Sequence, residues 1–211
     1  MIKNLIFDVD GTIWDSTEVV ARAWKKAAEE LSLPTDVISA ARLKKEFGKP
    51  MNEIFESMFP EYIGAGIFDK PHDLLYVYEH DFLEENKENL AYPKMKETME
   101  HLSKHLNLYI VSNCQKGYIE QVMRKTGIQD YIIDHTCYGE PLKTKDKSIQ
   151  ILIEKNGLIK EECVYVGDIY GDEVATHKAG LAFCHAAWGF GEAKEPEYVA
   201  KDYGELEKVF I

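Results

Sequence analysis

Apolar and polar positions follow two different periods along this chain. Short apolar runs that end in polar residues or glycine predict buried strands over 2–7, 106–111, 131–133, 163–166 and 181–186. Apolar residues at helical spacing predict helices over 93–102, 118–125, 145–156, about 171–179 and 203–210. Strands that alternate with helices are typical of an α/β fold with a parallel sheet covered by helices on both faces.

A different pattern interrupts this alternation after the first strand. Residues 13–33 place apolar side chains every three or four positions, and Pro34 ends this helical pattern. Further helical patterns follow with almost no strand signal, over 41–47, 51–59 and 74–83. We therefore predict two domains, which are an α/β core of residues 1–14 plus 89–211 and a helical insertion of residues 15–88.

Composition limits the partners of the protein. The 211 residues are 45% hydrophobic, enough for a sizeable core, and carry a formal net charge of −12. This acidity argues against nucleic acid or an anionic membrane as a partner, because both require a basic surface. The first residues lead directly into a strand and lack the features of a signal peptide, and no apolar stretch is long enough to span a membrane. Four scattered cysteines without a zinc spacing fit a reducing cytoplasm.

The most informative segment is the end of the first strand, where Asp8 and Asp10 follow a run of apolar residues. Residues two apart on a strand face the same way, so both carboxyl groups can point into one site. Gly11 then permits a turn. Two acids at a strand end indicate a hard metal ion, a nucleophile with a general acid, or both. The alternative is an ordinary Asp-Gly turn after a strand.

Two other predicted strands also end in polar residues. Ser112 and Asn113 follow the strand over 106–111, and Asp168 follows the strand over 163–166, with Asp172 four residues later. Ligands of parallel sheets bind beyond the carboxyl ends of the strands. Polar groups at three such ends favour a binding site over three unrelated strand ends.

Charge balance indicates what this site holds. Four clustered aspartates, at positions 8, 10, 168 and 172, would repel each other unless a cation neutralised them. An all-oxygen donor set suits Mg²⁺, and the sequence has no histidine cluster that would indicate zinc. A phosphate group would need more positive charge, which a lysine of the segment 143–147 can supply. The alternative for any single lysine is a solvated surface position.

Together these residues resemble the haloacid dehalogenase superfamily of phosphohydrolases over most of the chain. The residues that match its four motifs, in order, are Asp8-Val9-Asp10-Gly11-Thr12, Ser112, a lysine within 143–147, and Gly167-Asp168 with Asp172. The helical insertion resembles the cap of the phosphoglycolate phosphatase and β-phosphoglucomutase subgroup. The resemblance implies a Rossmann-like parallel sheet core with an inserted α-helical cap domain.

The resemblance also implies roles for the two acids of the first motif. Asp8 would attack phosphorus and form an aspartyl phosphate. Asp10 would protonate the leaving oxygen and then deprotonate the attacking water. Mg²⁺ would be held by the Asp8 carboxylate, the backbone carbonyl of Asp10 and Asp168, while Asp172 would bind metal waters or brace the lysine.

The remaining motif residues would bind the substrate. Ser112, the backbone amide of Asn113 and the lysine would hold the phosphoryl oxygens, and Gly11 and Thr12 would shape the adjacent loop. Lys145 fits the family's lysine best, because the apolar face of its helix begins at Ile149; Lys143 is the second candidate and Lys147 the third. This chain lacks the frequent lysine-proline pair, since Pro141 precedes the lysines.

The expected function is a Mg²⁺-dependent phosphatase that acts on a small phosphorylated metabolite. A sugar phosphomutase that uses the same aspartyl phosphate remains an alternative, as does a catalytically silent binding protein on this fold. A dehalogenase is disfavoured, because Asp10 and the metal site would then have no role. In the insertion, Lys49 is a candidate substrate contact, although a solvated lysine is the simpler interpretation. The sequence leaves the oligomeric state open, and a monomer is compatible with it.

Overall fold

The computed structural model describes residues 1–62, 69–137 and 144–211. The chain divides into two compact units. The first unit consists of Met1–Asp15 and Leu90–Ile211, and the second consists of Ser16–Asn89.

A parallel sheet forms the centre of the first unit. Its strands are β1 (Asn4–Phe7), β2 (Asn107–Ser112), β3 (Ile132–Cys137), β4 (Cys163–Gly167), β5 (Ala182–Ala186) and β6 (Tyr198–Ala200). The strand order is β3-β2-β1-β4-β5-β6, and every adjacent pair is parallel. The order reverses between β1 and β4, and in such sheets a crevice opens at that point beyond the carboxyl ends of the strands. The predicted α/β fold class is confirmed.

The helices alternate with these strands or lie in the second unit. Those of the second unit are α1 (Thr17–Glu30), α2 (Ala40–Glu46), α3 (Met51–Met58) and α4 (Asp69–Glu85). Those of the first unit are α5 (Met95–Leu102), α6 (Tyr118–Thr126), α7 (Lys145–Asn156), α8 (Tyr170–Ala179) and α9 (Tyr203–Phe210). In the described part of the chain, no helix combines the length and apolarity that crossing a membrane requires.

The central strands are buried because both sheet faces are covered. All residues of β1 and β4 are buried. One core cluster joins Ile6 and Tyr165 of these strands to Ile149, Leu152 and Ile153 on the apolar face of α7. This packing fixes the start of α7, and therefore Lys145, relative to the ends of β1 and β4.

The edges of the sheet differ from the sequence prediction. β3 continues to Cys137, four residues beyond the predicted end, through polar residues that an apolar-run criterion rejects. Its Asp134 is held by Lys155 and Asn156 at 2.8 Å each, which satisfies a carboxylate on an edge strand. β6 was not predicted, since it has only three residues and follows a loop. Edge strands are half-exposed, so they lack a strong hydrophobic signal.

In the second unit, α1 buries one face, as its amphipathic pattern predicts. The indole Nε1 of the fully buried Trp24 donates to Glu79 at 2.8 Å, which satisfies both polar groups. The buried carboxylate of Glu46 accepts a hydrogen bond from Lys49 at 2.7 Å and one from Ser57 at 2.8 Å. These contacts connect α2 with α3.

Candidate functional site

Four charged side chains meet beyond the ends of β1 and β4. Asp8 directly follows β1, Asp168 directly follows β4, Asp172 lies in the first turn of α8, and Lys145 is the first residue of α7. Each is at most 5% exposed. Carboxylate oxygens of the three aspartates lie within 4.8 Å of one another. We call these four residues the charge cluster.

Lys145 connects two of the carboxylates. Its Nζ lies 3.1 Å from Asp8 Oδ1 and 2.5 Å from Asp172 Oδ1. Burial alone would lower the pKa of this ammonium, but the carboxylates of Asp172 and Asp8 outweigh burial and raise it. With Lys145 charged and the three aspartates ionised, the cluster has a net charge of −2.

Burial and the neighbouring negative charges raise the pKa of two of the aspartates. Burial raises the pKa of Asp8 to about 6, with Lys145 opposing and Asp172 reinforcing the shift. Burial, together with Asp172 and Asp8, also raises the pKa of Asp168 well above its ordinary value. The site therefore either takes up protons or requires additional positive charge.

The donor set of the cluster fits a divalent cation. Asp168 Oδ2 accepts the backbone N–H of Phe190 at 2.7 Å, whereas the buried Asp168 Oδ1 has no hydrogen-bond partner among the described residues. A buried carboxylate oxygen without a partner is costly, and a metal ion would satisfy it. Neither histidine nor cysteine belongs to this group of acids. Oxygen donors alone favour a hard cation such as Mg²⁺ over zinc.

Two glycines make room for the Asp168 side chain. Gly11 has a φ of +82°, and a Cβ built on it would overlap the Asp168 carboxylate. A Cβ on Gly189 would also overlap Asp168. Only glycine lets both backbones approach this closely. The loop after β5 therefore contributes to the site, through the Phe190 amide and through Gly189.

Thr12 is fixed from two sides by its backbone. Its carbonyl accepts the Trp188 indole N–H at 3.0 Å and the Tyr203 hydroxyl at 2.9 Å. Its own buried hydroxyl has no hydrogen-bond partner among the described residues. The turn that carries Gly11 and Thr12 is thus anchored to the loop after β5 and to α9.

Asp10 has different surroundings from Asp8. It is half-buried, and it is not part of the group of acids that meets at the charge cluster among the described residues. Its Oδ1 accepts the Tyr118 hydroxyl at 2.8 Å and the Trp14 indole N–H at 3.0 Å. Its side chain therefore contacts neutral donors, while Asp8 contacts a lysine and lies among carboxylates.

Ser112 is the last residue of β2, the strand adjacent to β1, and it is buried. Asn113 follows it at the same edge of the sheet. The buried Tyr165 hydroxyl donates to the carbonyl of Val111 at 2.7 Å, which ties the end of β2 to β4 across β1. Both predicted phosphate-binding residues thus lie at the carboxyl edge of the sheet that carries the charge cluster.

The three candidate lysines have different positions. Lys145 is buried in the cluster, and Lys147 is exposed and donates to Gln150 at 3.1 Å. Lys143 lies outside the described residues. Lys49 belongs to the second unit, where its ammonium pairs with Glu46 at 2.7 Å. The described geometry therefore puts Lys145 next to Asp8.

The sequence pattern assigned no role to Tyr118, Phe190 or Glu173. Glu173 is buried and accepts the backbone N–H groups of Lys194 and Glu195 at 2.7 Å each, which holds the loop after β5 in place. Nothing in the sequence indicates that this loop approaches Asp168. A backbone amide, or a tyrosine far from the motif in sequence, cannot be recognised from the spacing of residues.

Comparison with known proteins identifies the family. Residues 5–186 match the haloacid dehalogenase-like hydrolases. The chain belongs to this family. A phosphoglycolate phosphatase of Vibrio vulnificus is 26% identical over 223 residues, which span 100% of this chain and 96% of that relative. The pyrophosphatase PpaX of Oceanobacillus iheyensis is 22% identical, over 97% of this chain and 95% of that protein.

A solved structure supports the fold of this hydrolase. A haloacid dehalogenase-like family protein of Streptococcus pneumoniae superposes with a TM-score of 0.85 at 21% identity, covering 100% of this chain and 99% of that chain. Like its curated relatives, this member of the family is a phosphatase.

Proposed function

We propose that this phosphatase hydrolyses a small phosphomonoester through an aspartyl phosphate on Asp8, with Mg²⁺ as cofactor. The observation that carries the proposal is the uncompensated charge of the buried cluster. Three carboxylates face a single ammonium within a few ångströms, at the crevice where ligands of such sheets bind. Such an arrangement costs stability, so a functional reason for it is expected.

The carboxylates of Asp8 and Asp168 and the backbone carbonyl of Asp10 would hold the metal, with Asp172 nearby. When bound, Mg²⁺ neutralises negative charge on the phosphoryl oxygens and on the acids. The partnerless Asp168 Oδ1 and the all-oxygen donor set support this assignment.

Asp8 is the proposed nucleophile. A bond forms between its carboxylate oxygen and phosphorus while the bond from phosphorus to the leaving oxygen breaks. Lys145 supports this role, because its ammonium at 3.1 Å favours the ionised, nucleophilic form of a carboxyl group that burial otherwise protonates. The same lysine is close enough to Asp8 to contact a phosphoryl oxygen.

Asp10 is the proposed general acid and base. Its proton passes to the leaving oxygen in the first step. In the second step water attacks phosphorus, the bond between Asp8 and phosphorus breaks, and the water proton passes to Asp10. Its position two residues from Asp8, outside the negatively charged cluster, supports a proton-transfer role.

The other motif residues are proposed to bind the phosphoryl group. Ser112 and the amide of Asn113 follow the strand beside Asp8, where they can donate to phosphoryl oxygens. Gly11 and Thr12 would shape the turn that leads out of the site. Lys49 stays a prediction as a substrate contact, and its pairing with Glu46 favours a structural role in its own unit.

The substrate class rests on the relatives. One is named a phosphoglycolate phosphatase and another a pyrophosphatase, so we propose a small phosphorylated metabolite rather than nucleic acid. The acidic chain supports this, since it lacks the charge for a polyanionic partner. We further propose that the helical unit is a cap domain and that the enzyme is cytoplasmic, as its four free cysteines suggest.

The test is phosphate release from a panel of phosphorylated metabolites, with Mg²⁺ or with EDTA. Asp8→Asn should abolish release, and so should EDTA. Asp134→Asn is the matched control, because it removes a carboxylate held by Lys155 and Asn156 outside the charge cluster. Full activity of Asp8→Asn would refute the mechanism. Isomerisation of a sugar phosphate without phosphate release would instead identify a mutase.

A further inference from the structure

Two aromatic side chains donate to one oxygen of Asp10. The Tyr118 hydroxyl lies 2.8 Å and the Trp14 indole nitrogen 3.0 Å from Asp10 Oδ1. Both donors are at most 4% exposed, whereas Asp10 is half-buried. The two rings also contact each other edge to face, with centroids 5.8 Å apart and planes at 72°. We call Trp14 and Tyr118 the aromatic clamp.

The clamp joins segments that are distant in sequence. Trp14 follows the turn after β1, and its carbonyl accepts the Gly11 N–H at 2.9 Å. Tyr118 begins α6, directly after Gly117, whose φ is +91°. An aromatic side chain has few rotatable bonds, and contact between the rings restricts them further. The two donors are thus held in place by packing and by backbone.

The two hydrogen bonds fix the orientation of the Asp10 carboxyl group. Both donors converge on Oδ1 from different segments of the chain, so rotation of the carboxyl group would break both bonds. A proton-transfer group that is held in one orientation needs no reorganisation before it reacts.

We propose that Tyr118 and Trp14 are positioning residues that hold the Asp10 carboxyl group in the orientation in which it exchanges a proton in both steps. The inference rests on the proposed function, because it gives a geometric cause to the acid–base role of Asp10. In the first step the Asp10 proton passes to the leaving oxygen as the bond between that oxygen and phosphorus breaks. In the second, a water proton passes to Asp10. The clamp keeps its own protons throughout.

Tyr118→Phe removes the clamp hydroxyl and keeps the ring. The test compares kcat/KM for an alkyl phosphate, whose leaving oxygen needs a proton, with kcat/KM for p-nitrophenyl phosphate, whose leaving group departs without one. For each substrate, kcat/KM reports only the first step, in which the phosphoryl group is transferred to Asp8. We expect a loss of about 10- to 100-fold for the alkyl phosphate, because the Asp10 carboxyl group becomes charged as it releases its proton and the variant lacks one hydrogen bond to that charge. The loss for p-nitrophenyl phosphate should be under about 3-fold.

Two controls separate positioning from folding. Tyr78→Phe removes the same type of bond, from a tyrosine hydroxyl to the Glu30 carboxylate in the second unit, and should leave both substrates unaffected. In an Asp10→Asn background, Tyr118→Phe should cause no further loss on the alkyl phosphate, since the clamp acts only through Asp10. Thermal melting checks that each variant is folded, and Trp14→Phe is the second clamp variant.

The outcomes are distinct. Equal losses for both substrates, no loss for either, or additivity with Asp10→Asn would overturn the inference and leave the proposed function intact. A wild-type protein that releases no phosphate from any substrate would overturn the proposed function and the inference together.

Discussion

Lys145 is the only cation of the charge cluster among the described residues, so its removal is the sharpest test of the site. Lys145→Met keeps most of the apolar stem of the side chain but removes the ammonium. Asp8 and Asp172 then lose a contact of 3.1 Å and one of 2.5 Å, respectively. The ionised cluster changes from a net charge of −2 to −3.

The expected loss of stability follows from this geometry. Removing one partner of a buried ion pair costs about 3–5 kcal/mol. In a chain of this size 1 kcal/mol shifts Tm by about 2–4 °C, so Tm should fall by about 6–20 °C without metal. Proton uptake limits the loss, because burial already raises the pKa of Asp8 to about 6 and the variant lacks the lysine that opposes this shift. The loss should therefore be larger at pH 8 than at pH 6.

The assay is urea or thermal unfolding, with EDTA and with Mg²⁺, alongside phosphate release. Lys147→Met is the matched control, since the same change occurs on the same helix at an exposed lysine and should alter stability by less than about 0.5 kcal/mol. Mg²⁺ should stabilise Lys145→Met more than the wild type, while activity remains low. Equal stability and activity of the two variants would refute the assignment of Lys145.

Three other expectations follow from individual contacts. Without metal, the contribution of Asp8 to stability is present below pH 3.8 and is lost as pH rises through about 6, because its folded-state pKa is raised. Urea titrations in EDTA should show this fall in the free energy of unfolding with pH, and saturating Mg²⁺ should remove it. Gly11→Ala should lower both phosphate release and the free energy of unfolding, by about 1–3 kcal/mol, since its φ is +82° and a Cβ would overlap Asp168; unchanged melting and activity would contradict this. Glu46→Gln should lower the free energy of unfolding by about 1–2 kcal/mol, as judged by urea unfolding, because the buried carboxylate binds Lys49 at 2.7 Å; an unchanged midpoint would count against it.

The sheet could be predicted where burial is complete. β1 and β4 are buried along their length, so their sequences are almost continuous apolar runs. The edge strands β3 and β6 were truncated or missed, because half-exposed strands accept polar residues such as Asp134 and Thr136. The hydrophobic pattern thus detects strands in proportion to their burial.

The site could be predicted only where its residues lie at element ends. Asp168 and Lys145 are recognisable because a polar residue follows a strand or begins a helix. The Phe190 amide carries no side-chain signal, and its bond to Asp168 depends on how the loop after β5 folds. The hydrogen bond from Tyr118 to Asp10 forms only because the fold places α6 next to the turn after β1. Contacts between segments distant in sequence depend on packing, which periodicity does not encode.

The spacing argument for Asp8 and Asp10 holds only while the backbone stays extended. The N–H of Asp8 still donates to Val166 of the adjacent strand at 2.9 Å, so Asp8 continues the sheet. The carbonyl of Val9 instead accepts the N–H groups of Thr12 at 3.1 Å and Ile13 at 2.7 Å, which turns the chain at this residue. Asp10 therefore lies beyond the strand, where alternation no longer applies. A carboxylate on the strand end enters the charged cluster and suits a nucleophile, whereas one on the turn meets neutral donors and suits proton transfer.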